Sequence, residues 1–199
     1  GRIRVIANGR DPETYHPPVE GEAPPQDAAQ ILFIGELEAG KRPDLFLDVI
    51  AALRQQEVSA SAAMVGQGSL GPSLQSRADD LGVAMLGSRH DVPSLLRHAA
   101  VLAITSAPDT EGMPGVAIEA GLSAIPVVST AAAGIADVVE HGVTGYVVDS
   151  DNSERIAVTV LRLLEDPVQR RKMGVAGRTR CVEQFTMESS AVRWESEIA

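Results

Sequence analysis

Cysteine, lysine and long apolar runs are scarce in this sequence, and each scarcity excludes a class of protein. The single cysteine, Cys181, cannot form an internal disulfide or a cysteine zinc site, which fits a reducing compartment such as the cytoplasm. No apolar run reaches the ~18 residues that a membrane helix needs. Lysine occurs only as Lys41 and Lys172, so the position of each lysine is informative.

Positive charge is also in the minority. The chain carries 17 basic and 27 acidic side chains, a net charge of −10, which would repel a phosphate backbone and argues against a nucleic-acid partner. Its 199 residues are 44% hydrophobic and 22% charged, as in ordinary globular proteins. A chain of this length is about one domain and can bury roughly 70% of its unfolded surface.

The start of the sequence lacks an initiator methionine and an apolar signal region. A short β-like run, Arg4 to Ala7, leads into the turn pair Asn8-Gly9. We therefore expect the chain to be a piece of a longer protein. The stretch from Asp11 to Gln30 is rich in proline and acidic residues, a composition typical of a linker.

After Gln30, short apolar runs alternate with amphipathic stretches. Strands are predicted at 31–34, 62–65, 83–86, 101–104, 126–128 and 145–148, and helices at 43–56, 70–81, 92–98, 114–122, 135–140, 153–164, 167–184 and 187–198. Continuous apolar strands between helices predict a doubly wound α/β fold, with a parallel sheet covered on both faces. Ligands of such sheets bind beyond the carboxyl ends of the strands.

The loop after the first strand combines glycine with adjacent cations. Gly35 begins it, Lys41-Arg42 ends it, and Pro43 opens the next helix. Free N–H groups, the helix dipole and the two cations together predict an anion site. The alternative is a solvated loop whose cations offset the nearby carboxylates Glu36, Glu38 and Asp44.

The next loop, from Gly66 to Gly71, has the G-x-G-x-x-G spacing of a dinucleotide site, and Asp91 follows at the distance of a ribose-binding acid. An NAD-dependent enzyme is therefore one hypothesis. The alternative is a tight strand-to-helix turn that needs glycine for backbone reasons only. In the third loop, Arg89 or His90 can border a base or a phosphate, whereas Asp91 suits a helix N-cap.

The densest signal lies between Ser106 and Ala120. Glu111 precedes the helix that Pro114 is expected to open, Glu119 lies in its second turn, and the first N–H groups of that helix are free for an anion. Two carboxylates beside an anion site suit a ligand that carries both sugar hydroxyls and phosphate. The alternative is that Glu111 stabilises the helix dipole and Glu119 is a surface residue.

These residues, taken together, resemble the C-terminal half of the GT-B-fold retaining glycosyltransferases, the group 1 family that includes sucrose synthases and many bacterial sugar transferases. The resemblance covers nearly the whole chain from Arg4 onwards, in the family's order. Its matching stretches are 5–9 with Tyr15 and Pro17-Pro18, 33–35 with Lys41, 64–70, 111–120, 126–130, 134–135 and 142–145.

The resemblance implies a site for a nucleotide diphosphate sugar, with no cofactor and no bound metal. By it, Glu119 binds the ribose hydroxyls, Glu111 binds the donor sugar near its 3-hydroxyl, and Lys41 contacts the diphosphate and stabilises the leaving group. The remaining expected substrate-binding residues are Gly35, Arg42, Gly66, Arg89, Gly112, Met113, Pro114, Gly115 and Val116.

Glu36 departs from this family pattern, because an arginine usually stands there beside the lysine. A carboxylate at this position would repel a diphosphate by ~1 kcal/mol in water-like surroundings and by more if desolvated. Arg42 is expected to compensate. The alternative is a non-catalytic binding or assembly module in which Glu36 has abolished diphosphate binding.

The family pattern also predicts how the chain is divided. Residues 1–30 form an interdomain segment and linker, residues 31–185 the donor-binding domain, and residues 186–199 a helix that packs on an acceptor domain outside the chain. This last helix should therefore expose apolar surface. The chain alone should bind donor without turning it over. We expect a cytoplasmic protein and leave open its peripheral association with the inner face of the membrane.

Overall fold

A computed structural model describes residues 9–110, 112–149 and 151–198. Its six strands form one parallel sheet with the order β3-β2-β1-β4-β5-β6. The strands are β1 (Ile31–Ile34), β2 (Ala62–Val65), β3 (Val83–Met85), β4 (Val101–Ile104), β5 (Val127–Thr130) and β6 (Gly145–Val148). The helices are α1 (Pro43–Gln55), α2 (Gly71–Leu81), α3 (Val92–Arg97), α4 (Gly115–Leu122), α5 (Ile135–Val138), α6 (Ser153–Glu165), α7 (Pro167–Gln184) and α8 (Met187–Ile198).

The predicted doubly wound α/β class is confirmed, and every predicted strand and helix is present within a few residues of its expected bounds. Two differences have a local cause. Pro114 does not open α4, because its ψ of 104° is extended and the helix begins at Gly115. The fifth strand runs on to Thr130, which lies opposite Val148 in the register of β5 with β6. The β-like run predicted at 4–7 lies outside the described residues.

Two apolar clusters cover the two faces of the sheet. Side chains of α1, α2 and α6 pack on one face, and side chains of α3, α4 and α5 pack on the other. Helix α7 contributes to both clusters, through Met173 to the first and Cys181 to the second. Strands β2 and β4 are buried along their whole length, which explains why the strands read as continuous apolar runs. The sheet therefore supplies a rigid base for the loops that follow its strands.

The sheet order fixes where those loops diverge. Strands β1 and β4 are neighbours, yet α1 follows β1 on one face and α4 reaches the other face after β4. The chain connections therefore part between β1 and β4, and a crevice opens at the carboxyl ends of these two strands. This topological switch point is where open α/β sheets bind ligands.

The last helix carries large apolar side chains in contact with water. Met187, Val192 and Trp194 of α8 are 65%, 60% and 53% exposed. This apolar exposure is what the sequence predicts for α8, and the partner that would cover it remains a prediction. Among the described helices, none combines the length and the apolar character of a membrane span.

Candidate functional site

A cavity of about 370 Å³ occupies the crevice between β1 and β4. Its walls come from the loop after β1, the loop after β4 and the first turns of α4. Of the residues expected in a substrate site, it brings together Gly35, Lys41, Pro114, Gly115, Val116 and Glu119. Residues 70 or more positions apart in the sequence therefore share one cavity.

The β1 loop is held in place by the loop after β4. The hydroxyl of Thr105 donates to the carbonyl oxygens of Lys41 and Arg42 at 3.0 and 2.9 Å, and that of Thr110 donates to the carbonyl of Gly40 at 2.9 Å. The aliphatic stem of Lys41 passes over Gly35. These bonds fix the Lys41 backbone, so its side chain reaches the cavity from a rigid turn.

Arg42 does not line this cavity, although it follows Lys41 directly. Its backbone is left-handed, with φ of 51°, and its guanidinium donates to Asp151 across 2.7 Å on the α6 side of the fold. The left-handed turn sends the two adjacent side chains in different directions. The expectation that Arg42 offsets Glu36 in the cavity therefore finds no support in this geometry.

Glu36 stands at the mouth of the crevice. It is exposed, and it lines both the first cavity and a second one beside it. Within the described part of the chain, no hydrogen bond or ion pair neutralises its carboxylate. By contrast, Glu38 accepts from the backbone N–H and the hydroxyl of Ser69 at 2.6 Å each, which lowers the pKa of this carboxyl.

The N-terminus of α4 faces the cavity. Gly115 and Val116 are its first two residues, so their N–H groups lack intrahelical acceptors. Gly112 instead packs against Gly134, where a side chain would overlap the Gly112 carbonyl, and Met113 lines a separate cavity near α7. The expected site residue Glu111 lies outside the described residues.

Sequence reasoning missed Arg10. Its Nε donates to Oε1 of Glu119 at 2.7 Å, and both side chains line the cavity, 32% and 14% exposed. Tyr15 lies beside this pair, and burial and then the neighbouring Glu119 carboxylate raise the pKa of its phenol. Arg10 and Glu119 are 109 positions apart, so no spacing in the sequence could have joined them.

A second cavity of about 560 Å³ adjoins the first, and the two share Ile34, Gly35 and Glu36. Gly66 and Arg89, two of the expected substrate-binding residues, both line it. The Arg89 guanidinium donates to Asp27 at 2.7 Å and, through two nitrogens, to Asp91 at 2.8 and 2.7 Å. These bonds raise the pKa of Arg89 and hold its side chain as a fixed wall.

The glycine-rich turn has a packing role. A Cβ on Gly66 would overlap the Gly35 carbonyl, and one on Gly68 would lie 2.5 Å from the carbonyl oxygen of Leu37. The N–H of Gly35 donates to Val65 at 2.9 Å, and that of Leu37 donates to Gln67 at 3.1 Å. The glycines therefore let the β2 loop lie directly on the β1 loop.

The dinucleotide hypothesis loses its second element as well. Asp91, the candidate ribose-binding acid, is bound by the Arg89 guanidinium, which lowers the pKa of its carboxyl. Asp91 does stand at the N-cap position of α3, but its side chain makes no capping hydrogen bond. The turn also follows β2 rather than β1.

Comparison with known proteins gives a family match over most of the chain. The model of the family described as glycosyl transferases group 1 matches residues 28–166. A D-inositol 3-phosphate glycosyltransferase of Frankia alni is 30% identical, and the match covers 89% of this chain and 48% of that relative. A GDP-mannose-dependent phosphatidylinositol monomannoside mannosyltransferase of Mycolicibacterium smegmatis is 30% identical over 84% of this chain and 47% of the relative. The chain thus spans about half the length of these relatives.

Solved structures agree with this match. Anabaena HepE, crystallised in complex with UDP and glucose, superposes with a TM-score of 0.81 at 25% identity, over 98% of this chain and 56% of that chain. The C-terminal domain of a glycosyl transferase group 1 family protein from Francisella tularensis has a TM-score of 0.73 at 20% identity, over 90% of this chain and 100% of that domain. The second likeness concerns the fold alone.

Proposed function

The chain belongs to the glycosyl transferases group 1 family, and from that membership we propose that it is the donor-binding domain of a retaining glycosyltransferase. This domain would bind a nucleotide diphosphate sugar, and a hexose would pass to an acceptor held by an N-terminal domain outside the chain. The single observation that carries the proposal is the cavity between β1 and β4. It joins Lys41, the α4 N-terminus and the Glu119 carboxylate.

The two cavities together suit the parts of such a donor. The second cavity, walled by Gly66 and Arg89, would take the base. Glu119 would accept from the ribose hydroxyls, because a carboxylate can bind two neighbouring hydroxyls at once. The α4 N-terminus and Lys41 would hold the diphosphate, since N–H groups and an ammonium favour anions.

Lys41 and the α4 N–H groups would also act in the transfer step. As the bond from the sugar to the diphosphate breaks, negative charge grows on the departing phosphate oxygen. Donors fixed before the reaction stabilise that charge without reorganising. In this proposal Glu111, which the family resemblance names, binds the donor sugar near its 3-hydroxyl. The proposed transfer needs no metal ion.

The comparisons support a nucleotide sugar donor and leave the base open. HepE was solved with UDP, whereas the mycobacterial relative is named for GDP-mannose. The exposed apolar side chains of α8 support a contact with an N-terminal acceptor domain. Covering Met187 and Trp194, seven residues apart on one helix, would bury a single face.

One observation favours a second candidate function. The exposed Glu36 carboxylate opposes any diphosphate in the cavity, as it would in a non-catalytic module that has lost its donor. An NAD-dependent enzyme has less support, because the glycines of its fingerprint pack on the β1 loop and Asp91 is bound to Arg89.

Calorimetric titration separates these functions. We expect the chain to bind UDP, GDP or ADP, one of them more tightly than the others, and to show no comparable affinity for NAD. Absence of binding by every nucleoside diphosphate at millimolar concentration would contradict the donor-domain proposal and favour the non-catalytic module. Selective binding of NAD would instead support the dinucleotide enzyme.

Replacing Glu36 by arginine should tighten the binding of a nucleoside diphosphate about tenfold, because a repulsive charge becomes an attractive one in water-like surroundings. The measurement is titration of both proteins with the preferred diphosphate. The matched control is Asp44→Arg, which changes the charge by the same amount. Asp44 is exposed and does not line the cavity. Equal effects of the two variants would reduce the role of Glu36 to net charge, and weaker binding by Glu36→Arg would assign Glu36 an active role.

A further inference from the structure

The balance of charge in the first cavity depends on Arg10. Among the described residues, four charged side chains line this cavity: the carboxylates of Glu36 and Glu119 and the cations Arg10 and Lys41. If Arg10 were absent, two carboxylates would face one ammonium, and a doubly charged diphosphate would be repelled. With Arg10 present, the two cations balance the two carboxylates, so the described charged side chains lining the cavity carry no net negative charge that would oppose an anion.

The Arg10 guanidinium lies against the first residue of α4. A Cβ on Gly115 would overlap Nη2 of Arg10, so the absence of a side chain at Gly115 is what admits the guanidinium to this position. The N-terminus of a helix carries partial positive charge, and a cation there is unfavourable unless an anion offsets it. The Glu119 carboxylate is one such anion, and it accepts a hydrogen bond from Nε of Arg10. The two terminal nitrogens of a guanidinium form a fork that matches phosphate oxygens.

The backbone of Arg10 is held by hydrogen bonds on both sides. Its N–H donates to the carbonyl of Phe185 at 2.8 Å, and its carbonyl accepts from the N–H of Met187 at 3.2 Å. Gly9, the preceding residue, has no room for a side chain beside Thr186. Because the backbone is held, a change of partner by the guanidinium requires rotation of the side chain only.

From these contacts we propose that Arg10 binds the diphosphate of the donor, an inference that rests on the proposed function. Before binding, Arg10 and Glu119 neutralise each other. The ribose hydroxyls then bind the Glu119 carboxylate, and the released guanidinium binds the diphosphate together with Lys41. The ion pair thus keeps Arg10 and Glu119 in the cavity for a ligand that carries both hydroxyls and phosphates.

Replacing Arg10 by methionine tests this assignment, since methionine keeps much of the side-chain length without the charge. We expect Arg10→Met to weaken the binding of UDP or GDP, whichever the wild type prefers, at least about tenfold. Calorimetry measures this change. Binding of the free nucleoside, measured by competition, should stay within about twofold of wild type. The matched control is Arg97→Met, which removes a comparable Nε–carboxylate pair, 3.0 Å long to Glu22, away from the cavity.

A second variant separates direct binding from neutralisation of Glu119. In a Glu119→Gln background the carboxylate carries no charge, so Arg10→Met should still cost about tenfold in diphosphate affinity if Arg10 contacts the phosphates. No further loss in that background would overturn the proposal and leave Arg10 as a counter-ion of Glu119. Equal losses for nucleoside and diphosphate would also overturn it, by indicating a structural role. If wild type binds no nucleoside diphosphate, the proposed function fails and this inference with it. If wild type binds and Arg10→Met binds equally well, only the inference fails.

Discussion

Gly66→Ala should lower the free energy of unfolding by about 4 kcal/mol. Two costs combine at this position. Its φ of 138° is a conformation that residues with a Cβ rarely adopt, which costs about 1–3 kcal/mol. The new Cβ would also overlap the Gly35 carbonyl, and such overpacking costs about 1–3 kcal/mol more.

Chemical denaturation of the wild type and of Gly82→Ala provides the comparison. Gly82 also has positive φ, 65°, but nothing lies within 4 Å of the position of its Cβ. Gly82→Ala should therefore cost only about 1–2 kcal/mol, the conformational part alone. Similar losses in the two variants would show that the β2 loop moves away from the β1 loop freely, and would contradict the close packing described for this turn.

Glu119→Ala should weaken the binding of the ribonucleoside diphosphate at least about tenfold, because it removes the charged acceptor of hydrogen bonds from the ribose hydroxyls. The 2′,3′-dideoxy analogue, which lacks those hydroxyls, should lose no affinity in the same variant. Removal of Glu119 also frees Arg10 to bind the diphosphate. The variant can therefore bind the analogue somewhat more tightly than the wild type does. The difference between the two ligands, measured by calorimetry, therefore reports the ribose contact alone.

The outcome that would remove the ribose assignment is an equal loss for both ligands. It would mean that Glu119 acts on the diphosphate side of the cavity, through its pair with Arg10. A loss confined to the ribonucleotide would be difficult to explain by damage to the fold, because both ligands meet the same protein.

The sheet was predictable because burial leaves a plain trace in the sequence. Strands such as β2 and β4 are covered on both faces, so every position along them is apolar and alternation is absent. The loops after these strands could likewise be named as the place for a ligand. Lys41, Gly115 and Glu119 do meet there, although they come from two distant segments.

Side-chain direction and long-range pairing were not predictable in the same way. Lys41 and Arg42 look equivalent in the sequence, and only the left-handed backbone at Arg42 turns its guanidinium toward Asp151. Arg10 stands in a segment that reads as a linker, and its partner Glu119 is reached only through the fold. The spacing of Gly66 and Gly68 indicated a nucleotide fingerprint, whereas their contacts are with the backbone of the β1 loop.

The pairing of Arg10 with Thr186 has a mechanical consequence. The segment that precedes the domain and the junction between α7 and α8 run side by side as a short parallel bridge, joined by hydrogen bonds on both sides of Arg10. These hydrogen bonds tie the Arg10 backbone to the junction between α7 and α8. A shift of that junction would therefore also move Arg10 relative to Glu119 in the cavity.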